Sequence, residues 1–246
     1  MRHSTRYRLN ALFSSSNFPK GVKWLLISNT AVFVLHYLAG KGLEPLFYPF
    51  ELWPEQVVHS FFIWQLATYL FLHFAPMHLL LNMLTLWMFG ATIERDWGTR
   101  KFLKYYFLCG IGAGLCDVLV NAILGHWNTS TIGASGAIYG VLLAFGILYP
   151  EAVILFLFIF PIQAKYFVMI YGAMALLGAM NVNSGVSNVA HLGGMLFGLL
   201  YLKTRLPKLD VYEVRRWYRN YKLQRNKKKF QVYMRKHGSG PGPWVN

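Results

Sequence analysis

The run YYFLCGIGAGLCDVLVNAILGHWNTSTIGASGAIYGVLLAFGILYP, residues 105–150, lies between Lys104 and Glu151 and holds one charged residue, Asp117, in 46 positions. A membrane span needs about 20 mainly apolar residues, so this run is more than one span. It carries its own break. Gly125 and the polar stretch His126 to Thr131 divide it into a helix over about Phe102–Leu124 and another from near Ser135 to Pro150. Outward on either side the pattern repeats, with 38 uncharged residues between Glu55 and Glu94 and 37 between Lys165 and Lys203. Apolar residues make up 55% and charged residues 13% of the 246, against about 25% charged in soluble proteins. Disorder is excluded by the lack of charge, and a disulfide scaffold by a cysteine count of two. The chain reads as an all-α polytopic membrane protein.

Six helices are expected: about Trp24–Ala39, Pro76–Ile93, Phe102–Leu124, Ser135–Pro150, Ala164–Met180 and Ser187–Leu202. Several are short for a full span, so tilt or recessed ends are expected. Gly40 to Ala75 holds Pro45, Pro49 and Pro54 among many aromatics and reads as an interfacial or partly embedded hairpin between helices 1 and 2. Ala152 to Phe160 is apolar but too short to cross, and belongs at the inner interface. Lys and Arg set the orientation. Residues 1–23 carry five, 94–104 four, 150–165 one and 203–246 thirteen of the 24, while the alternate loops hold only Lys41. Both termini are therefore expected in the cytoplasm. The expected division is a basic N-terminal segment (1–23), a membrane domain (24–204) and a basic tail (205–246), with the first helix kept as a signal anchor and a bacterial plasma membrane as host.

Polar groups inside a span are costly, which makes them functional candidates. His78 and Asn82 on the second helix, Ser135 at the start of the fourth and His191 on the sixth all fall near the outer ends of helices running from outside to inside. Ser135 lies in Gly133-Ala134-Ser135-Gly136, where small residues allow close backbone approach and a helix N-terminus offers unpaired N–H groups. It reads as a nucleophile or as an N-cap in a small-residue helix contact. His191, Gly194 and Gly198 share one helical face, and Gly136 with Gly140 offers a facing small-residue stripe. That packing would bring an imidazole to the Ser135 hydroxyl; the other reading is a histidine hydrogen-bonded within the bundle. His78 and Asn82, four apart, are stacked donors that suit an oxyanion or an interhelical hydrogen bond.

Taken together, His73-Phe74-Ala75-Pro76-Met77-His78-Leu79-Leu80-Leu81-Asn82, Gly133-Ala134-Ser135-Gly136 with Tyr139, and Ala190-His191 with Gly194 and Gly198 resemble the rhomboid intramembrane serine proteases. Gly90, Glu94, Arg95 and Gly98 resemble the turn after that family's second helix. The resemblance covers about residues 24–204. It implies a six-helix bundle with an embedded hairpin and an intramembrane serine endopeptidase acting on transmembrane proteins. By resemblance Ser135 is the nucleophile, His191 the general base and acid, and His78, Asn82 and the Ser135 N–H the oxyanion hole, with Tyr139 packed on the His191 ring. Gly133, Gly136, Gly194 and Gly198 are supporting positions. One departure is Trp64-Gln65, where the family often has Trp-Arg; it is expected to weaken an anchoring contact in the hairpin. A non-proteolytic rhomboid-like chaperone or adaptor is the alternative, although such relatives usually lose the serine or the histidine.

No His-Glu-x-x-His pattern occurs, so no metal or cofactor is expected. His59, His73 and His126 read as interfacial or hairpin residues. Asp117 stands alone, which excludes an aspartyl pair, and it is assigned packing or hydration. Cys109 and Cys116 are expected to be free packing residues. Attached to a cytoplasmic helix end, the basic aromatic tail is expected on anionic lipid headgroups, not on nucleic acid.

Overall fold

The computed structural model describes residues 18–156, 159–179 and 187–205. Helix α1 is Lys20–Leu43, bent at Gly40, where φ is 62°. Its first turn is anchored from a distance: the Glu94 carboxylate accepts the Gly21 and Val22 N–H groups, each at 2.7 Å, and the Thr99 hydroxyl at 2.7 Å. A carboxylate at a helix N-terminus meets both the orphan donors and the positive end of the dipole. The motif position singled out in the sequence is thus a bolt between the first helix and the turn after the second.

Short helices and 3₁₀ turns follow, including α2 (Pro54–His59) and α3 (Gln65–Thr68). Gln65 corrects the expected weakness of this segment. It is fully buried, accepts the Trp53 N–H at 3.0 Å, and donates to the Pro49 carbonyl at 3.3 Å and to Gln56 at 2.5 Å. Trp64 adds an indole bond to the same Pro49 carbonyl at 2.8 Å. A neutral amide can be donor and acceptor at once, and here it fastens three points of the segment.

Helix α4 (Pro76–Thr85) continues through a π turn (Leu86–Gly90) into α5 (Ala91–Trp97), and α6 is Thr99–Ile123. Then come α7 (Ser135–Leu148), α8 (Ala164–Ala179) and α9 (Asn188–Arg205). Among the described residues, Lys20–Gly40, Pro76–Trp97 and Thr99–Ile123 are long and apolar enough to cross a membrane. Helix α7 is apolar on all sides and largely buried, as a central helix should be. Its 14 residues give about 21 Å, short of the about 30 Å hydrocarbon core of a bilayer.

The all-α expectation fails at one place. Val153–Phe156 (β1) and Phe160–Gln163 (β2) pair antiparallel, with Val153 opposite Gln163 and Ile154 opposite Ile162. Branched and aromatic residues in runs too short for a stable helix favour this ribbon. The expected N-terminal segment up to residue 17, residues 157–158, residues 180–186 and the tail beyond residue 205 lie outside the described residues.

Candidate active site

The site is built where α4, α7 and α9 begin. Ser135 opens α7, directly after the N-cap residue Ala134. It stands 2.8 Å from His191 Nε2, across 56 positions of sequence. The small residues make this approach possible. A Cβ on Gly194 would fall 1.9 Å from the Gly136 carbonyl oxygen, so α9 touches α7 backbone to backbone. A Cβ on Gly136 would fall 2.6 Å from Ala113 Cβ, and one on Gly140 2.4 Å from Cys109 Sγ. Gly198 faces the Tyr105 hydroxyl and Cys109. The glycine stripe therefore serves α6 as much as α7, lodging α9 in a groove between them.

Tyr139, one turn below Ser135, lies parallel to the His191 ring, with centroids 4.1 Å apart and planes 4° apart. The stack fixes the ring plane so that Nε2 points at the hydroxyl. His191 is 7% exposed, and its Nδ1 has no partner among the described residues. Asp117 does not reach it. Nor does any group of three His, Cys, Asp or Glu residues suit a metal ion among the described residues.

Gly133 has φ 109°, open to glycine and strained for other residues, and its N–H bonds the Tyr69 carbonyl at 2.9 Å. A Cβ there would lie 2.6 Å from the His78 ring and 3.6 Å from Asn82 Nδ2. Both donors of α4 therefore close on the turn leading into Ser135. The first N–H groups of α7 are unpaired within the helix and add their partial positive charge at the same point. A hydroxyl against an imidazole, beside several convergent donors, can generate a nucleophile and hold a developing oxyanion.

Two residues of this site escaped the sequence reading. His73, expected to be an interfacial or hairpin residue, is 1% exposed and contacts Asn82 Nδ2 through Nε2 at 2.9 Å. The Ala134 N–H also reaches Nε2, at 3.3 Å. A main-chain donor makes Nε2 an acceptor, so Asn82 donates to it and keeps a second amide hydrogen for the site. His73 precedes α4 and shares no helical period with His78, so no spacing rule reaches it.

Asp117, expected to pack or hydrate, ties the site together. It is 1% exposed, accepts the Thr131 hydroxyl at 2.9 Å, and accepts the Ser187 hydroxyl. Ser187 Oγ in turn accepts the Ala190 N–H at 3.2 Å, capping α9 one turn before His191. Thr131 is paired in both directions with Leu52, four positions before Ser135. One carboxylate thus links the approach to the serine and the start of the histidine helix. Cys109 and Cys116 are free thiols.

The Rhomboid domain family model matches residues 61–208. Rhomboid protein 1, mitochondrial, of Saccharomyces cerevisiae is 35% identical over 50% of this chain and 36% of its own length. Presenilin-associated rhomboid-like protein, mitochondrial, of Mus musculus is 33% identical over 58% of this chain and 40% of its own. Rhomboid protease AarA of Providencia stuartii is 34% identical over 56% of this chain and 54% of its own. The chain spans between about a third and about half of the length of these relatives. Because they include mitochondrial proteins, the family does not single out the bacterial plasma membrane expected from the sequence. With the matched segment taking in α4 through α9, this apolar, mainly helical membrane protein belongs to the rhomboid family.

Proposed function

We propose that this chain is an intramembrane serine endopeptidase that cleaves transmembrane proteins through a Ser135–His191 dyad. The observation that carries the reading is the 2.8 Å contact between Ser135 Oγ and His191 Nε2, with Tyr139 stacked behind the ring. His191 accepts the serine proton as Oγ attacks a peptide carbonyl; the oxyanion is held by His78, Asn82 and the Ser135 N–H. His191 then returns the proton to the leaving amine. Water repeats the cycle on the acyl-enzyme. A substrate helix must unwind locally first, because helical carbonyls are already bonded and covered.

In this reading the membrane domain is residues 24–204, with six spans, residues 41–75 as an embedded hairpin, both termini in the cytoplasm and the dyad just below the exterior surface. Exposed Phe61, Ile63 and Leu46, at 75%, 66% and 64%, support lipid contact for the hairpin. The basic segments 1–23 and 205–246 flank the domain, the tail resting on anionic headgroups. A chaperone or adaptor role gains no support from a serine and histidine that are both present and in contact.

The test is purified protein in proteoliposomes with a single-span substrate and a fluorophosphonate probe. Ser135→Ala and His191→Ala should abolish cleavage and labelling with unchanged melting, while Asn82→Ala should lose about 10²–10³-fold. Cleavage that persists in purified Ser135→Ala protein refutes the assignment.

A further inference from the structure

Three of the chain's nine acidic residues, Glu44, Glu51 and Glu55, line one cavity of about 620 Å³. For a protein of net charge +15 this is a marked concentration. No Lys, Arg or His lines the cavity among the described residues. Tyr48, Trp53 and Phe74 contribute aromatic wall. Two buried groups are left unmatched there. Glu51 is 2% exposed, yet its Oε1 has no hydrogen-bond partner, and the indole N–H of Trp53 has none either. Unpaired buried polar atoms are costly and call for an occupant. Burial raises the Glu51 carboxyl above the usual range, the Ser130 hydroxyl lowers it, and the Glu44 charge raises it again.

The occupant's chemistry follows from these walls. No acidic group here is clustered tightly enough to hold a metal ion among the described residues. The spread of carboxylates, the aromatic faces and the volume suit an organic cation, and a guanidinium above all, because it is planar, forks onto carboxylates and stacks on rings. The unpaired Trp53 donor asks for an acceptor as well. A cation carried on a peptide brings carbonyls; a free polyamine does not.

The cavity walls run in sequence towards the segments that carry the site residues. Ser130 and Asn128 line it just before Gly133 and Ser135, and Phe74 lines it four residues before His78. The Leu52–Thr131 bridge holds the two walls together. Resting on the protease reading for its substrate, we propose that this acidic cavity binds the guanidinium of an arginine in the juxtamembrane segment of the substrate.

Two arms test this. The first needs no cleavage: full-length Ser135→Ala protein in phosphatidylcholine nanodiscs is titrated with Nα-acetylarginine amide, Nα-acetylcitrulline amide and agmatine, followed by saturation-transfer NMR. The arginine amide should bind at least about tenfold tighter than its neutral citrulline isostere, the size of one charge-assisted hydrogen bond, and tighter than agmatine, which lacks carbonyls. Glu51→Gln should remove the preference for arginine over citrulline. Equal binding of the two amides, or a preference that survives Glu51→Gln, overturns the site; agmatine binding as tightly as the amide overturns the peptide-borne assignment. In the second arm, an arginine is moved position by position through the juxtamembrane segment of a test substrate, with glutamine at the same positions as reference. One register should lower KM about tenfold in the wild type, and the Arg/Gln ratio should collapse towards one in Glu51→Gln. Cation binding without such a register overturns the substrate role. No cleavage of any substrate, with no fluorophosphonate labelling, removes the protease reading and with it the substrate role, while the first arm still decides the cavity.

Discussion

Gly194→Ala is the sharpest test of how the dyad is assembled. The added Cβ would stand 1.9 Å from the Gly136 carbonyl oxygen and 2.8 Å from its carbon. Both atoms are main chain, so no side-chain rotation relieves the clash. Reaching ordinary contact at 3.4 Å requires α9 to move away from α7 by about 1.5 Å. His191 lies one turn away on the same rigid helix, so its ring moves with it. The 2.8 Å bond to Ser135 then opens to about 4 Å, beyond hydrogen-bond reach. Misplacement of this size, with loss of the general base, should lower the cleavage rate by about 10²–10⁴. Overpacking should cost only about 1–3 kcal/mol of stability. Gly172→Ala is the control, since its Cβ meets only the flexible end of Met195 at 3.4 Å. Cleavage and fluorophosphonate labelling in proteoliposomes, with melting in parallel, measure both effects. A Gly194→Ala protein within threefold of wild-type activity would refute the backbone contact as the device that sets the dyad.

Asp117→Ala leaves two hydroxyls without their acceptor, so cleavage should fall at least about tenfold, from about 1–3 kcal/mol per orphaned group. Asp117→Asn, which still accepts one hydroxyl, should recover part of the rate in the same cleavage assay; a rate unaffected by either change would show that the link does not position the dyad. Glu94→Gln should lower stability by about 2–4 kcal/mol in a denaturant titration, through two weakened charge-assisted bonds to α1, with little change in cleavage per folded molecule. His73→Ala should slow cleavage by up to about 10²-fold through Asn82, and the double change with Asn82→Ala should be no worse than Asn82→Ala alone. Additive losses in that cycle would mean His73 acts independently of Asn82.

What the sequence discloses and what it hides follow a physical divide. The continuous stretch from α4 through α5 and helices α6, α7, α8 and α9 are legible to within a few residues, because apolar runs bounded by Pro76, Gly98, Gly125 and Gly133 leave few alternatives. The pairing of Ser135 with His191 is legible because glycine spacing restricts which helix faces can meet. The ribbon Val153–Gln163 is not, since a short apolar run has no period that separates strand from helix. Nor are His73, Gln65 and Asp117, whose partners lie 9 to 70 positions away. Their roles depend on non-helical turns and long-range hydrogen bonds, and residue type alone carries neither.

In the proposed mechanism, Asp117 also bears on how the Ser135–His191 dyad would manage without a third catalytic member. In a triad the carboxylate orients the imidazole and stabilises its cation. Here the buried carboxylate sits one step back, on Ser187 and Thr131, so it orients the helix that carries the ring and leaves the ring itself alone. The ring plane is set instead by the parallel Tyr139 face, 4.1 Å away. An aromatic face also attracts a cation, which offsets part of the missing charge when His191 takes the serine proton. In the proposed mechanism, orientation and charge compensation are therefore divided between Asp117, acting through the start of α9, and Tyr139, acting on the ring.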